Sequence, residues 1–293
     1  AWFGRYAGAS AQALRFSSSN VALADLCTEP TPSLAVCSAA LIGQRLKVGG
    51  STGTPITATQ AVSYLLGDQS LESSTLRKRT TRLGDIVNSA PVVVAPTDDY
   101  GYRSMAGATA GSYDPYNYAA YLTTKQSRPR VVFAGANDGM LHAFDGATGT
   151  ERFGYIPTTA LGHMGNLLFP YNAADKNNQV FQHRYFVDGQ MTVSDVYAGG
   201  AWKTVLVGAA GAGGRGVFGL DVSSPATFTG ANVLWEVNDR SSNATIADNI
   251  GYVLGKPVIV PVKTTDGTVA WKAIFGNGYN SNGGKAVLFV VDV

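Results

Sequence analysis

The sequence predicts an all-β fold, a β-propeller of four-stranded antiparallel blades, and three observations carry that expectation. Gly at 35, Tyr at 14 and Phe at 12 among 293 residues, with only 14% charged, suit many short strands joined by turns better than helices. Three segments repeat one pattern: "RVVFAGANDGMLHAFDGATG", "WKTVLVGAAGAGGRGVFGLDVSS" and "WKAIFGNGYNSNGGKAVLFVVDV". Each reads as an apolar strand ending in Gly (Gly135, Gly208, Gly276), a Gly/Asn turn, and a strand closing on Asp (Asp145, Asp221, Asp292). Each pair also has a strand upstream, in "IVNSAPVVVAP", "VDGQMTVSDVYAGG" and "LGKPVIVPVKTTDG", and the first two have one downstream, in "ERFGYIP" and "NVLWEVND". Four short strands per repeat is the unit of a propeller blade.

Residues 1–56, rich in Ala, Ser, Thr and Gly with weak periodicity, read as an irregular lead-in region, and residues 57–293 as the propeller domain. Cys27 and Cys37 stand ten positions apart in "CTEPTPSLAVC", a Pro/Thr/Ser loop. A disulfide is expected there, contributing about 2–3 kcal/mol in the chain-entropy model. Such pairing is rare in reducing cytosol and points to an exported protein; two buried free thiols are the alternative. One short helix is expected near 58–66, where Ala61, Val62, Leu65 and Leu66 fall near helical spacing. Thr57 or Thr59 caps its start and Gly67 ends it in the left-handed conformation. After Leu83 the pattern turns to strands, and the three valines of "APVVVAP" suit a strand buried on both faces. Asn137-Asp138-Gly139 reads as a hairpin turn, since these residues tolerate the positive φ of a tight reversal. Asp145 before Gly146 and Gly149 reads as the next reversal, so both acids are expected as turn formers rather than catalysts.

Several function classes are excluded. Net charge is +2, and the 22 basic residues are scattered except for Arg77-Lys78-Arg79 with Arg82, which reads as a solvated face; no nucleic-acid partner is expected. No run reaches the roughly 18 apolar residues of a membrane span, and Ala1 opens without the regions of a signal peptide. The chain reads as an incomplete fragment, beginning mid-context and stopping on the apolar strand "KAVLFVVDV". His142, His163 and His183 lack metal-ligand spacing from the cysteines or one another, so no metal site is expected. The Gly-rich "GAAGAGGRG" is followed by a strand rather than by a helix opening on Lys-Ser/Thr, which excludes a phosphate loop. No G-x-S-x-G elbow occurs, and no catalytic residues are expected.

Seven blocks, "LGDIVNSAPVVV" (83–94), "VVFAGANDGMLHAFDGATG" (131–149), "HRYFVDG" (183–189), "LVGAAGAGGRGVFGLDVSSP" (206–225), "NVLWEV" (232–237), "LGKPVIV" (254–260) and "IFGNGYNS" (274–281), occur in one order. Together they resemble the C-terminal β-propeller of the PilC-type type IV pilus tip adhesins and pilus biogenesis factors, over roughly residues 60–293. The resemblance implies a protein exported through the periplasm of a Gram-negative bacterium to the cell surface at the pilus tip. There it promotes assembly by opposing retraction and supports twitching motility and adhesion. The implied partners are minor pilins and a host-cell or abiotic surface. The family's EF-hand-like calcium loop lies in a later blade; no D-x-[DN]-x-[DN]-G run occurs here, and Asp98 and Asp99 lack the alternation. No cofactor is therefore expected within this chain, and calcium is implied only for the parent protein, through a loop downstream of residue 293.

The alternative is a quinone-dependent dehydrogenase, whose repeat resembles "GANDGMLHAFDGATG". That enzyme needs calcium and tryptophans stacking in its funnel, whereas Trp202, Trp235 and Trp271 occupy strand positions of the repeat. No partner-binding residue is identified, but two surfaces are candidates. The Tyr-rich insertion from Tyr100 to Tyr121, within a long surface loop over 98–127, either presents its rings to a partner or packs them on the propeller. Residues 163–186 offer Leu167, Leu168 and Phe169, which either dock a partner or fill core.

Overall fold

The computed structural model describes residues 1–7, 10–28, 37–105, 116–171 and 183–293. The chain opens with the hairpin β1 (Trp2–Ala7) and β2 (Ser10–Arg15), then α1 (Ala39–Arg45), the two-residue strands β3 (Lys47–Val48) and β4 (Thr54–Pro55), and α2 (Ala58–Leu65). The helix expected near 58–66 is thus present as α2. Thr57 caps it, accepting from Gln60 N while the Gln60 side chain accepts from Thr57 N, and Gly67 follows at φ +106°. Its buried side is Ala61, Val62, Tyr64 and Leu65.

Three blades follow. In the first, β5 (Val92–Val94), β6 (Val131–Gly135), β7 (Leu141–Asp145) and β8 (Glu151–Ile156) form an antiparallel meander, with α3 (Tyr118–Lys125) between β5 and β6. After α4 (Thr158–Leu161), the second blade is β9 (Met191–Ala198), β10 (Ala201–Ala209), β11 (Gly216–Asp221) and β12 (Val233–Asn238). After α5 (Ala244–Asn249), the third is β13 (Val258–Lys263), β14 (Val269–Gly276) and β15 (Leu288–Asp292). The recurring Gly and Asp residues stand at or near the ends of the strand pairs β6–β7, β10–β11 and β14–β15, as the repeat pattern required. The blades do not close into a ring.

The core lies between the blades, and strand alternation divides it. Leu206 of β10 joins a cluster with Phe133, Leu141 and Tyr155 of the first blade, while its neighbours Val205 and Val207 join one with Ile259, Trp271 and Phe275 of the third. Successive side chains of one central strand thus bind two blades together. At the third blade the alternation leaves Leu288 and Val290 outward, 65% and 54% exposed.

Two expectations change. Residues 1–56 are not irregular throughout, because β1 adds parallel to the edge of β8 and carries β2 with it. Phe3, Phe16, Leu26 and Ile42 sit in the same cluster as the first blade's core. The approach of β1 depends on Gly4, where a Cβ would lie 2.0 Å from Glu236 Oε1. Glu236, on β12, accepts from Tyr155 Oη, from Thr158 N at 3.1 Å and from Asn238 Nδ2 at 2.6 Å. Burial there raises its carboxyl pKa against those bonds. The second change is β5, which is not buried on both faces: it pairs only with β6, and Val93 is 53% exposed. Three valines in a row look alike whether one face or two are covered.

Candidate partner-binding face

In an antiparallel meander, alternate connections fall at the same end. The β6–β7 turn and the segment leaving β8 therefore share one face of the blade array, with the β10–β11 turn and the segment leaving β12. The segment joining β5 to β6 lies on the opposite face.

On the first face each hairpin turn is clasped by the segment leading into its own blade's inner strand. Asn137 N donates to Asp85 O at 3.0 Å, Asp188 N to Ala210 O at 3.1 Å, and Gly251 N to Asn277 O at 2.8 Å. The Asn-Asp-Gly turn does more. Gly139 takes φ +100°, Asn137 Oδ1 accepts from Phe186 N at 3.0 Å, and the Asp138 carboxylate accepts from Gly84 N at 2.8 Å. It therefore cross-links the segments that lead into β5 and β9. Asp188, 2% exposed, accepts from Asn88 N at 3.0 Å and Asn88 Nδ2 at 2.6 Å, tying the same two segments. Asp145 likewise forms a turn, accepting from Ala147 N and Thr148 N, and Arg152 at 2.5 Å holds its carboxyl well below the usual carboxylate range.

His142, without a visible partner in the sequence, lies between two carboxylates: Nδ1 is 2.7 Å from Glu151 and Nε2 is 3.1 Å from Asp138. Burial opposes a charge there, but these hydrogen bonds prevail and lift its pKa to about 9. A carboxylate on each ring nitrogen calls for the imidazolium form. His183 pairs with Asp85 at 2.8 Å.

A basic groove runs across this face. Its larger part, a cavity of about 430 Å³, is lined by Arg77, Lys78, Arg79 and Arg82 on one side and His183 and Arg184 on the other. The expectation that this charge run is merely solvated holds for half of it. Lys78 and Arg82 are exposed. Arg79 is buried against Glu72 at 2.6 Å, donates to Tyr64 O and Asp68 O, and stacks 3.8 Å over the Tyr64 ring. Burial would raise the Glu72 pKa, yet the Arg79 bonds hold it below the ordinary value. Arg77 donates to Leu167 O at 3.1 Å. A second cavity of about 220 Å³ shares His183 and Arg184 and continues to Gly214 and Arg215. Three distant segments supply the basic residues, so no local window displays the groove; each does lie within a few residues of a recurring turn or strand start.

The two surfaces singled out in the sequence behave as scaffold in their described parts. In the Tyr-rich insertion, residues 106–115 lie outside the described part. Tyr118 Oη donates to Asp195 at 2.7 Å, Tyr102 Oη meets Ser194 Oγ at 2.7 Å, and Tyr121 Oη meets Thr204 Oγ1 at 2.9 Å. Lys125 Nζ, 1% exposed, donates to Asp195 at 2.7 Å and to Asp98 O at 2.8 Å. Burial and the Asp195 charge push the Tyr118 phenol well above its ordinary pKa. The rings of Tyr102 and Tyr118 lie 5.8 and 4.5 Å from Trp202, which contacts Trp271 at 5.3 Å. Those two tryptophans therefore pack on the face opposite the groove, and Trp235 covers Gly219, where a Cβ would lie 2.6 Å from its ring. In the other surface, Leu167, Leu168 and Phe169 are buried core, and 172–182 lie outside the described residues.

Cys27 and Cys37 form a disulfide with Cα atoms 5.3 Å apart. It rests on the β8–β9 connection: a Cβ at Gly165 would lie 2.4 and 2.5 Å from the two sulfurs. Among the described residues no group of three His, Cys, Asp or Glu converges as for a metal ion, and no helix is long and apolar enough to cross a membrane.

These features define a class: consecutive β-propeller blades, with a clasped, basic connection face on one side and an aromatic brace on the other. A family model of the PilY1 β-propeller domain matches residues 83–293. A Xylella fastidiosa protein named type IV pilus biogenesis factor PilY1 homolog is 45% identical over 248 residues, covering 82% of this chain and 15% of that protein. Type IV pilus biogenesis factor PilY1 of Pseudomonas aeruginosa strain PAK is 35% identical over 233 residues, covering 79% of this chain and 18% of that one. The crystal structure of the P. aeruginosa PilY1 C-terminal domain has 32% sequence identity and a TM-score of 0.49, covering 68% of this chain and 34% of that one. The chain belongs to the PilY1 β-propeller family, and it spans less than a fifth of the length of these two named relatives.

Proposed function

We propose that the chain is the propeller portion of a type IV pilus biogenesis factor that works by contact rather than catalysis. The observation that carries this reading is the match of the PilY1 propeller model over residues 83–293, beside relatives named as pilus biogenesis factors. In the parent protein it sits at the pilus tip on the cell surface, after export through the periplasm. It promotes assembly by opposing retraction, contacts minor pilins, and supports adhesion and twitching motility. Calcium acts on the parent protein through a loop beyond residue 293. The site's polar groups fit a contact role: Asn137, Asp138 and Asp188 are engaged in clasping the segments that make the face, and His142 is held between Glu151 and Asp138.

Deleting this region from the parent gene tests the proposal, with surface pili counted in strains with and without an active retraction motor. Loss of pili that returns when retraction is blocked is expected. Unchanged piliation in both backgrounds overturns it. Addition of pyrroloquinoline quinone and calcium to the purified protein is expected to give no dye reduction.

A further inference from the structure

We propose that the small cavity between Arg184 and Arg215 is a receptor for one carboxylate, presented by an acidic peptide segment of a partner protein. This rests on the reading that the basic face meets another component of the pilus. The cavity, about 220 Å³, lies where three connections meet: Thr159 and Arg184 come from the β8–β9 segment, Gly214 and Arg215 from the β10–β11 turn, and Asp239 from the segment leaving β12. Its volume falls below the roughly 300–1,000 Å³ typical of small-molecule sites and suits the end of a side chain.

Its wall is formed in part by two arginines and a threonine, residue types that donate to an oxyanion. Arg215 Nη1 donates to Asn282 Oδ1 at 2.7 Å, which fixes the guanidinium, while its buried Nε has no hydrogen-bond partner among the described residues. The Thr159 hydroxyl, on a residue 4% exposed, also has none. A buried donor left unsatisfied is costly, and a carboxylate that draws Arg215 Nε and the Thr159 hydroxyl toward the cavity removes that penalty. Arg184, 8% exposed, brings a second guanidinium to the wall. Gly214 keeps the wall in place, because a Cβ there would lie 2.6 Å from Thr159 Cβ. Asp239, also in the wall, opposes any anion, but a dianion more than a monoanion, so it disfavours phosphate more than carboxylate. The larger cavity shares His183 and Arg184 with this one; Asp85 and Asp138 also line it, but its arginines and Lys78 outnumber them, and exposed Lys78 and Arg82 attract an acidic segment.

The test uses calorimetry on the purified protein with a short oligoglutamate peptide, with oligoglutamine as control, and acetate and inorganic phosphate as competitors. Binding is read in solution and piliation in cells, so the pocket and the pilus role fail independently. Oligoglutamate is expected to bind and oligoglutamine not to. Arg215→Gln and Thr159→Val each weaken binding at least about tenfold, Arg215→Lys retains part of it, and acetate competes better than phosphate. Thr159→Val is isosteric, so it decides the matter if Arg215→Gln fails to fold. Unchanged affinity in Thr159→Val, no binding to the wild type, or phosphate competing better than acetate overturns the proposal.

Discussion

Both faces of the blade array carry charged and aromatic groups among the described residues, but they use them in opposite ways. On the β5–β6 side, Lys125, Asp195, Tyr118, Tyr121 and Thr204 form one buried network under a roof of Tyr and Trp rings. On the groove side, Lys78 and Arg82 stand in solvent above clasped turns. Tyrosine content alone would have assigned contact to the first face. The difference teaches that a polar residue's role follows from whether its hydrogen bonds end inside the molecule. Lys125 closes a circuit, whereas Lys78 leaves one open.

Breaking the closed circuit has the largest expected effect. Asp195→Ala leaves Lys125 buried without its carboxylate, and losing one partner of a buried pair costs about 3–5 kcal/mol. Thermal unfolding is expected to begin about 10 °C lower. Replacing both residues with apolar ones of similar volume is expected to restore much of the loss. A single-mutant midpoint within a degree or so of wild type would mean the brace is decorative, and the contrast between faces would collapse.

The groove face has closed circuits of its own, and the one around His142 sharpens the comparison. His142 titrates at about 9 when folded, against 6.5 when unfolded, so its stabilisation is complete below about pH 6.5 and disappears as pH rises through 9. That shift corresponds to at most roughly 3 kcal/mol. In His142→Gln, urea midpoints are expected to fall at pH 6 but to converge with wild type above about pH 9. Next in size is the Cys27–Cys37 pair, whose double Ser substitution is expected to cost about 2–3 kcal/mol by releasing a short loop. Because the pair rests on Gly165, faster amide exchange is expected in the described part of the β8–β9 connection, with β9–β10 unaffected.

The sequence displayed what is local. Strand pairs β6–β7 and β10–β11 were legible because period-2 alternation and Gly/Asp punctuation lie within a window of some twenty residues. Helix α2 was legible from a capping Thr57 or Thr59, the spacing of Ala61, Val62, Leu65 and Leu66, and Gly67 for the same reason, and the structure shows Thr57 as the cap. Helix α3 was not: Asn117 precedes it at φ 55° with no side-chain cap, and its buried Tyr118, Tyr121 and Lys125 include a residue type expected at the surface. Nor was the place of β1, whose parallel pairing of Trp2 with Tyr155 joins residues far apart in the chain. The same cause hid the groove, assembled from Arg77–Arg82, Arg184 and Arg215.

The smallest structural effect tests the open side of the comparison. Lys78 and Arg82 belong to the same run as Arg79, yet Arg79 is held by Glu72, Tyr64 and Asp68, while Lys78 is exposed and Arg82, also exposed, makes a surface hydrogen bond to Gln69 Oε1 at 3.3 Å. Lys78→Ala and Arg82→Ala are expected to change unfolding free energy by less than about 0.5 kcal/mol each. Their effect should appear in association instead, since rim charges act on encounter rate and salt dependence more than on the final fit. In stopped-flow mixing with an acidic peptide, the double variant is expected to associate several-fold more slowly at low salt and to match wild type at high salt, where screening removes the advantage. A destabilised double variant with unchanged association would place Lys78 and Arg82 with Lys125 as parts of the scaffold, and the two faces would then differ only in which residues they bury.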